Sequence, residues 1–360
     1  MKGSLYSVSD KAMFDAINQS KVTNSDLKDL FLSRGIIISH ETKREKLAKY
    51  FSLFPHSYYD YKKLADILGT NTRREKNTST TVSQSVSADI IETVANELVN
   101  DIEHYGANCT IEPSDGNGIN IKVKYREFDY SNSEFRQVTN KEAIISIENN
   151  DGELVIRHPQ NKTVEEWKCL YIAKLETELE EEVEVTNINL THVTDHLLVT
   201  KFFTELINGI SGYKLYDVTD VYVYHPLEVN AFPDDEDEDD DDQAKESELG
   251  THISKASLKG QNVLKSDELL ELYNKGFYIS KIVWRSKIDG KLDDDLFEFE
   301  AQFSDAEEKD YFSYLVRGYY AYKGSGEYIK GKKALTTSQE RTLTQQVEVA
   351  AHKALKKILE

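Results

Sequence analysis

The chain has 360 residues, of which 39% are hydrophobic and 30% charged. Its length allows about two domains, and its composition is too apolar for a wholly disordered protein. Two cysteines exclude a disulfide framework and a zinc cluster, and the apolar runs are too short for a membrane span of ~20 residues. We therefore expect a cytoplasmic protein that makes no membrane contact.

The charge is distributed unevenly along the chain, whose net charge at pH 7 is −20. Residues 1–81 contain 14 Lys and Arg against 9 Asp and Glu, which gives them +5 and leaves −25 for the remainder. Nine acidic residues follow one another from Asp234 to Asp242. We interpret this run as part of a disordered loop at 233–248, although it could also mimic a nucleic-acid backbone and occupy the basic residues 1–81. The net positive charge of residues 1–81 favours an anionic partner for this part of the chain.

A small basic helical module is predicted in residues 1–70. Ser9 or Asp10 can cap its first helix, and Gly35 is placed to stop the second helix in a left-handed turn. Apolar residues recur at spacings of three and four, and we expect Leu47, Tyr50 and other members of these stripes to face inward. The later predicted helices span residues 23–33, 41–54 and 57–68.

Residues 71–84 are polar and rich in Ser and Thr, and we predict that they form a linker. The body at 85–360 mixes strands and helices irregularly, which favours the α+β class over a doubly wound sheet. Its predicted helices span residues 87–105, 164–182, 195–208, 266–274, 310–316 and 338–359. Its predicted strands span residues 118–125, 143–147, 154–157, 183–190, 214–224, 277–286, 296–303 and 319–322.

The segment at 22–54 carries the most informative pattern. Leu27-Lys28-x-Leu30 is followed by Ser33-Arg34-Gly35-Ile36, an extended stretch, and the basic helix Lys43-Arg44-Glu45-Lys46-Leu47. This order resembles a SAP-type helix–extended–helix module. The resemblance implies DNA binding, with basic residues of the second helix against phosphates.

The basic residues of this region also favour phosphate binding on their own. Nine basic residues stand against four acidic ones between positions 43 and 76, and each cation on a phosphate would release counterions. The candidate nucleic-acid-binding residues are Lys43, Arg44, Lys46, Lys49, Lys62, Lys63, Arg73, Arg74 and Lys76. The alternative is a solvated helical face on a protein–protein scaffold without nucleic-acid contact.

The predicted strand at 296–303 carries acidic residues that could belong to a nuclease site. Nucleases of the PD-(D/E)xK type carry a strand ending in Asp and a strand with Glu-x-Lys. Here Asp289 lies in a turn, and Glu298, Glu300 and Gln302 alternate on one face, so two carboxylates could hold a magnesium ion. Gln302 stands where the lysine is expected. A polar outer face of a half-exposed strand explains the same residues.

An aromatic sequence follows this strand. Arg317-Gly318-Tyr319-Tyr320-x-Tyr322 could stack bases, or its tyrosines could belong to a core or an interface.

The pattern from Leu27 through Ser33-Arg34-Gly35-Ile36 to the basic helix is also similar to the opening of a known subunit. That family is the non-nuclease subunit of a two-gene bacterial phage-defence system from a mobile island, in which the partner is a PD-(D/E)xK nuclease. The resemblance implies a hetero-oligomer in which this chain senses or positions and the partner cuts.

Together these patterns predict a non-catalytic nucleic-acid-binding or sensing subunit of a bacterial defence complex. DNA is the expected nucleic acid, and a nuclease from the same operon is the expected protein partner. The alternatives are a divergent magnesium-dependent nuclease and a pure scaffold. We expect no cofactor, or Mg²⁺ if the nuclease alternative holds.

Overall fold

The structure is a computed structural model that describes residues 9–68, 74–114, 118–131, 134–150, 152–226, 254–291 and 294–359. The acidic run Asp234–Asp242, the predicted loop at 233–248 and Arg73 lie outside the described residues. Within the described ranges, no helix combines the length and the apolarity needed to cross a membrane.

Helices and strands are interleaved along the chain, which confirms the predicted α+β class. The helices are α1 (Asp10–Asn18), α2 (Asn24–Leu32), α3 (Arg44–Ser52), α4 (Tyr58–Leu68), α5 (Ala88–His104), α6 (Lys162–Leu179), α7 (His196–Asn208), α8 (Asp267–Asn274) and α9 (Thr337–Leu359). The strands are β1 (Asn77–Val82), β2 (Asn108–Pro113), β3 (Gly118–Phe128), β4 (Val138–Asn150), β5 (Glu153–Pro159), β6 (Val185–Asn187), β7 (Tyr213–Tyr224), β8 (Lys255–Lys259), β9 (Tyr278–Ile288), β10 (Leu296–Asp305), β11 (Asp310–Tyr320), β12 (Tyr322–Gly324) and β13 (Glu327–Tyr328).

The first of two compact units contains the described residues within 1–74, 92–113 and 120–144. Helices α1 to α4 surround an apolar core in which Met13 and Leu64 are fully buried. Phe135 completes this core and stacks on Tyr61, with ring centroids 5.0 Å apart. Tyr50 does not face this core as we expected, since 59% of it is exposed.

The turn after α2 forms as predicted. Gly35 has φ +73°, in the left-handed region, and its N–H donates to the carbonyl of Leu32. The N–H of Ile36 then donates back to the carbonyl of Phe31. These bonds satisfy carbonyls that the helix end leaves unpaired, so the glycine ends α2 and starts the extended connection.

The second unit contains the described residues within 75–91, 114–119 and 145–360, and its main element is an antiparallel sheet. The strands are hydrogen-bonded in the order β5, β1, β11, β10, β9, β7 and β8. Strand β6 pairs with residues 80–82 of β1, beyond the position at which β1 pairs with β11. Residues 146–150 of β4 pair with β5. Strand β1 therefore lies inside the sheet, between β5 and β11.

Two helices cover one face of this sheet. Phe202 of α7 and Ala351 of α9 belong to a buried cluster with Trp284 of β9 and Phe299 of β10. The Trp284 and Phe299 rings are stacked, with centroids 5.4 Å apart. Because side chains alternate along a strand, the residues between these core positions lie on the opposite face of the sheet.

Two segments differ from their predicted structure. Residues 77–82, which we predicted as part of the linker, form β1, because the sequence Asn-Thr-Ser-Thr-Thr-Val is rich in β-branched side chains that favour a strand. The predicted helix at 310–316 is wrong. This segment forms β11, whose Phe312, Tyr314 and Val316 are buried at the spacing of two that a strand requires.

Candidate functional site

Two acidic residues, Glu298 and Glu300, are buried on the sheet face opposite α7 and α9. They are two positions apart on β10, so both side chains lie on the same face of the strand. Only 3% of Glu298 and 2% of Glu300 is exposed. A buried carboxylate needs compensating charge, and the neighbouring strands supply it.

Glu300 is neutralised by cations from three elements. The Nζ atoms of Lys76, just before β1, and of Lys281, on β9, each lie 2.7 Å from its Oε1. Arg317 of β11 places its Nε 3.6 Å from Oε2. The strand register explains the second contact, because Lys281 lies opposite Gln302 and on the same face as Glu300.

Glu298 has its own set of donors. The Arg285 Nε and the Tyr320 hydroxyl donate to its Oε2 over 3.1 Å and 2.9 Å. Lys332 donates to Oε1, and the Nε of Arg317 lies 3.4 Å from the same oxygen. Arg317 therefore links the two carboxylates.

We call these cations together with Glu298, Glu300 and Tyr320 the cationic cluster. Its positive members are Lys76, Lys281, Arg285, Arg317 and Lys332. Five cations around two carboxylates leave a net charge of +3. The cation side chains keep between 15% and 35% of their surface exposed, so the positive charge is accessible to solvent.

The carboxylates are held in their charged form. Burial by itself opposes ionisation of Glu300, but hydrogen bonds from Lys281 and Lys76 and the charges of both lysines lower its pKa to about 2. Burial also opposes ionisation of Glu298, and there the hydrogen bond and charge of Lys332, with bonds from Tyr320 and Arg285, lower the pKa. Both residues are therefore anions at neutral pH, and they fix the positions of the cations around them.

A glycine allows Lys332 to reach the cluster. The backbone of Lys333 pairs with Tyr319 of β11 through two hydrogen bonds of 3.0 Å and 2.8 Å. Gly318 has φ +128°, and a Cβ at this position would overlap the carbonyl oxygen of Lys333. Only glycine combines this backbone conformation with such a close approach, so it brings the lysine-rich segment over β11.

Tyrosine rings lie among the cations. The guanidinium carbon of Arg285 is 4.5 Å from the ring centroid of Tyr320, and the Nζ of Lys281 is 4.9 Å from that of Tyr222. Such contacts stabilise a cation over the electron-rich face of the ring. The aromatic sequence after β10 thus contributes Tyr320 to the cluster, where it is half-buried.

The residues of the nuclease alternative are only partly brought together. Glu298 and Glu300 share the cluster, and Gln302 lies on the same face and donates to the Ser304 hydroxyl over 2.9 Å. Asp289 is exposed in the turn after β9, where its N–H donates to the carbonyl of Gly212. Among the residues that the structure describes, no group of three or more His, Cys, Asp and Glu side chains could hold a metal ion.

The cations also change what the two carboxylates can do chemically. A divalent ion held by Glu298 and Glu300 would either displace lysine and arginine from them or lie beside five positive charges. Both arrangements cost free energy, because like charges repel strongly where water is partly excluded. The arrangement instead exposes fixed positive charge, which suits the binding of an anion.

The candidate residues of the N-terminal module divide into two groups. Lys43, Lys46 and Lys49 are exposed at α3, and Lys62 and Lys63 are exposed on α4. The outer side of α3 is not purely basic, since Tyr50 and Leu53 are also exposed there. Such a mixed surface agrees with either phosphate contact or protein docking.

Two arginines of the module have structural contacts instead. Arg44 Nη1 donates to the carbonyls of Gln19 and Ile17 over 2.8 Å and 3.2 Å. Arg34 forms an ion pair of 3.0 Å with Asp60 and lies over the ring of Phe51. Both side chains tie helices of the first unit together, and their charges are directed into these contacts.

Of the remaining candidates, Arg74 is exposed, whereas Lys76 belongs to the cationic cluster. Lys281, Arg285 and Lys332 were not predicted from the sequence as site residues. A signal for the first two exists, because Lys281 and Arg285 alternate with core residues along β9. Lys332 follows no periodic pattern, and its position depends on the pairing of its segment with β11.

Comparison with known proteins adds two findings. No protein-family model matches the chain, and no curated protein matches its sequence.

Proposed function

We propose that this protein binds nucleic acid through the cationic cluster, as a non-catalytic subunit. The observation that carries the proposal is the cluster itself: five cations and two carboxylates with a net charge of +3, on a chain whose total charge is −20. Local positive charge attracts a polyanion to one place on the protein, whereas the acidic remainder of the chain repels it.

The two carboxylates favour binding by preorganising the cations. A free lysine or arginine loses up to ~2 kcal/mol of side-chain entropy when it is immobilised on a ligand. Here Glu298 and Glu300 already hold five such side chains in place. When a phosphate binds to these cations, their side chains therefore lose less conformational entropy than free side chains would.

Tyrosines favour nucleic acid over a small inorganic anion as the ligand. Tyr320 and Tyr222 lie against cluster cations, and Tyr216 is 51% exposed on the neighbouring β7. Bases stack on aromatic rings while lysine and arginine contact the backbone phosphates, which is the usual composition of a surface that binds nucleic acid.

The proposal can be tested by fluorescence anisotropy with a labelled DNA oligonucleotide. We expect salt-sensitive binding by the full chain, and about 10-fold weaker binding by the double variant Arg317→Ala, Lys332→Ala, which removes two phosphate contacts. Each carboxylate keeps other partners in this variant. The matched control is Lys353→Ala, Lys356→Ala, which removes the same charge from exposed positions of α9. Equal loss in both variants would overturn the proposal.

We further propose that the chain is a cytoplasmic partner of a nuclease in a bacterial defence complex. This rests on the N-terminal sequence resemblance, and the exposed Tyr50 of α3 and Leu53, directly after that helix, supply apolar surface for a protein contact. Co-expression of the neighbouring gene with a tagged version of this chain tests it. Co-purification that is lost in Tyr50→Ala, Leu53→Ala supports the partnership, and separate purification contradicts it.

A further inference from the structure

A cleft of about 530 Å³ lies beside the cationic cluster in the second unit. It shares Arg285 and Tyr320 with the cluster, so the two features are continuous. Its volume falls within the range of about 300–1,000 Å³ that is typical of small-ligand sites. The nuclease and subunit hypotheses leave this cleft without a role.

Aromatic side chains line the cleft from three strands. Tyr216 of β7, Tyr320 of β11 and Tyr328 of β13 all contribute to its surface. Tyr216 and Tyr328 meet edge to face, with centroids 6.1 Å apart, and the Nζ of Lys287 lies 4.4 Å from the Tyr216 centroid. These contacts hold the Tyr216 ring in place while half of the residue stays exposed.

A tight loop presents two amide side chains at the same cleft. Gln261 and Asn262 are both exposed there, between β8 and the short helical turn at 263–265. The N–H of Asn262 donates to Asp217 Oδ1 over 2.8 Å, and Asn262 has φ +55°, a left-handed conformation that asparagine adopts more readily than most residues. Carboxamides can pair with the hydrogen-bonding edge of a base.

Charged groups line the cleft as well, and Asp217 is the acidic residue among them. Arg285 belongs to both features, and the exposed Lys330 lies at the cleft beside Tyr328. A ligand that places a flat, polar-edged ring between the tyrosines would thus have cations available for an attached phosphate. This combination of stacking, edge recognition and phosphate contact describes one nucleotide.

We propose that the cleft takes one unstacked base of single-stranded DNA whose backbone lies on the cationic cluster. The inference rests on the proposed nucleic-acid binding and adds the strand state of the ligand. A base in a duplex would have to leave its pair and its stack to enter, at a cost of a few kcal/mol. The cleft therefore selects single strands, whereas the cluster alone contacts any phosphate backbone.

The test compares three DNA ligands of equal length on the full chain: a single strand, a duplex, and an abasic single strand that has phosphates without bases. We expect the wild type to bind the ordinary single strand most tightly. Tyr216→Leu should weaken single-strand binding by about 10-fold, because one stacked base is lost, and change abasic binding by less than about 2-fold. Tyr216→Trp should restore single-strand binding. Tyr105→Leu, at a position 83% exposed in the first unit, is the control.

The outcomes separate the two proposals. Equal affinity of the wild type for ordinary and abasic strands, with no effect of Tyr216→Leu, would overturn the base-binding cleft and leave the phosphate-binding cluster standing. Failure of the wild type to bind any of the three ligands would overturn both. Circular dichroism confirms that each variant is folded before it is compared.

Discussion

The Nζ of Lys76 lies 2.7 Å from Oε1 of Glu300, a carboxylate of which only 3% of the side chain is exposed. Lys76 directly precedes β1, and Glu300 lies in the middle of β10. With Lys281 at the same distance from the same oxygen, this ion pair holds positive charge on the outer face of the sheet. Glu300 is therefore an anchor for cations.

Replacing Glu300 with Gln should destabilise the protein. The substitution leaves the charges of Lys76 and Lys281, whose side chains are 15% and 19% exposed, without their anionic partner. We expect a loss of about 2 kcal/mol in the free energy of unfolding, measured by urea titration. Glu178→Gln, at an exposed position of α6, should change it by less than about 0.5 kcal/mol. An unchanged urea midpoint in Glu300→Gln would contradict the anchoring role.

The same carboxylate should make stability depend on pH in the acid range. The pKa of Glu300 is about 2 in the folded state against 4.5 for an unperturbed glutamate, so the unfolded chain binds its proton first as pH falls. The stabilisation by Glu300 is then complete above about pH 5 and is lost progressively toward pH 2. The difference in unfolding free energy between wild type and Glu300→Gln should shrink over that interval. A difference that stays constant from pH 7 to pH 3 would show that Glu300 is not the titrating group.

In the N-terminal module, replacing Arg44 should lower the stability more than replacing its lysine neighbours. Arg44→Ala removes hydrogen bonds to the carbonyls of Gln19 and Ile17 and should cost about 1–2 kcal/mol of stability. Lys46→Ala and Lys49→Ala change exposed positions of the same helix and should each stay within about 0.5 kcal/mol. Urea unfolding of the three variants measures this directly. Similar losses at all three positions would mean that the contacts of Arg44 contribute nothing specific.

The sequence predicts those features of the fold that depend on residues close together in the chain. The alternation Phe297-Glu298-Phe299-Glu300 predicts both the strand and the shared face of the two glutamates. The Ser- and Thr-rich composition of residues 77–82 suggested a linker because it is polar, yet its three threonines and one valine are β-branched and favour a strand between neighbouring strands.

The candidate site is less visible in the sequence, because its charges come from separate elements. Lys76, Lys281 and Lys332 are adjacent only because β1, β9 and the segment after β13 meet around β10 and β11. A basic count along the chain placed Lys76 with the N-terminal module for this reason. The pairing of strands distant in sequence decides the site, and no local pattern encodes that pairing.

The nuclease alternative makes a prediction that differs from ours. We expect the purified chain to leave DNA and RNA intact with Mg²⁺ or Mn²⁺, because the two carboxylates are already occupied by five cations. Gel analysis of wild type beside Glu300→Gln, with folding checked by circular dichroism, measures it. Metal-dependent cleavage by the wild type that disappears in Glu300→Gln would make the nuclease alternative correct.

The most direct test of the nucleic-acid-binding face is lysine footprinting with an acetylating reagent, read by mass spectrometry with and without saturating single-stranded DNA. Bound DNA should protect Lys332 of the cationic cluster and Lys330 at the cleft from acetylation. Lys353 and Lys356, exposed on α9, should react equally in both conditions. Binding of DNA with undiminished acetylation of Lys332 and Lys330 would contradict the account.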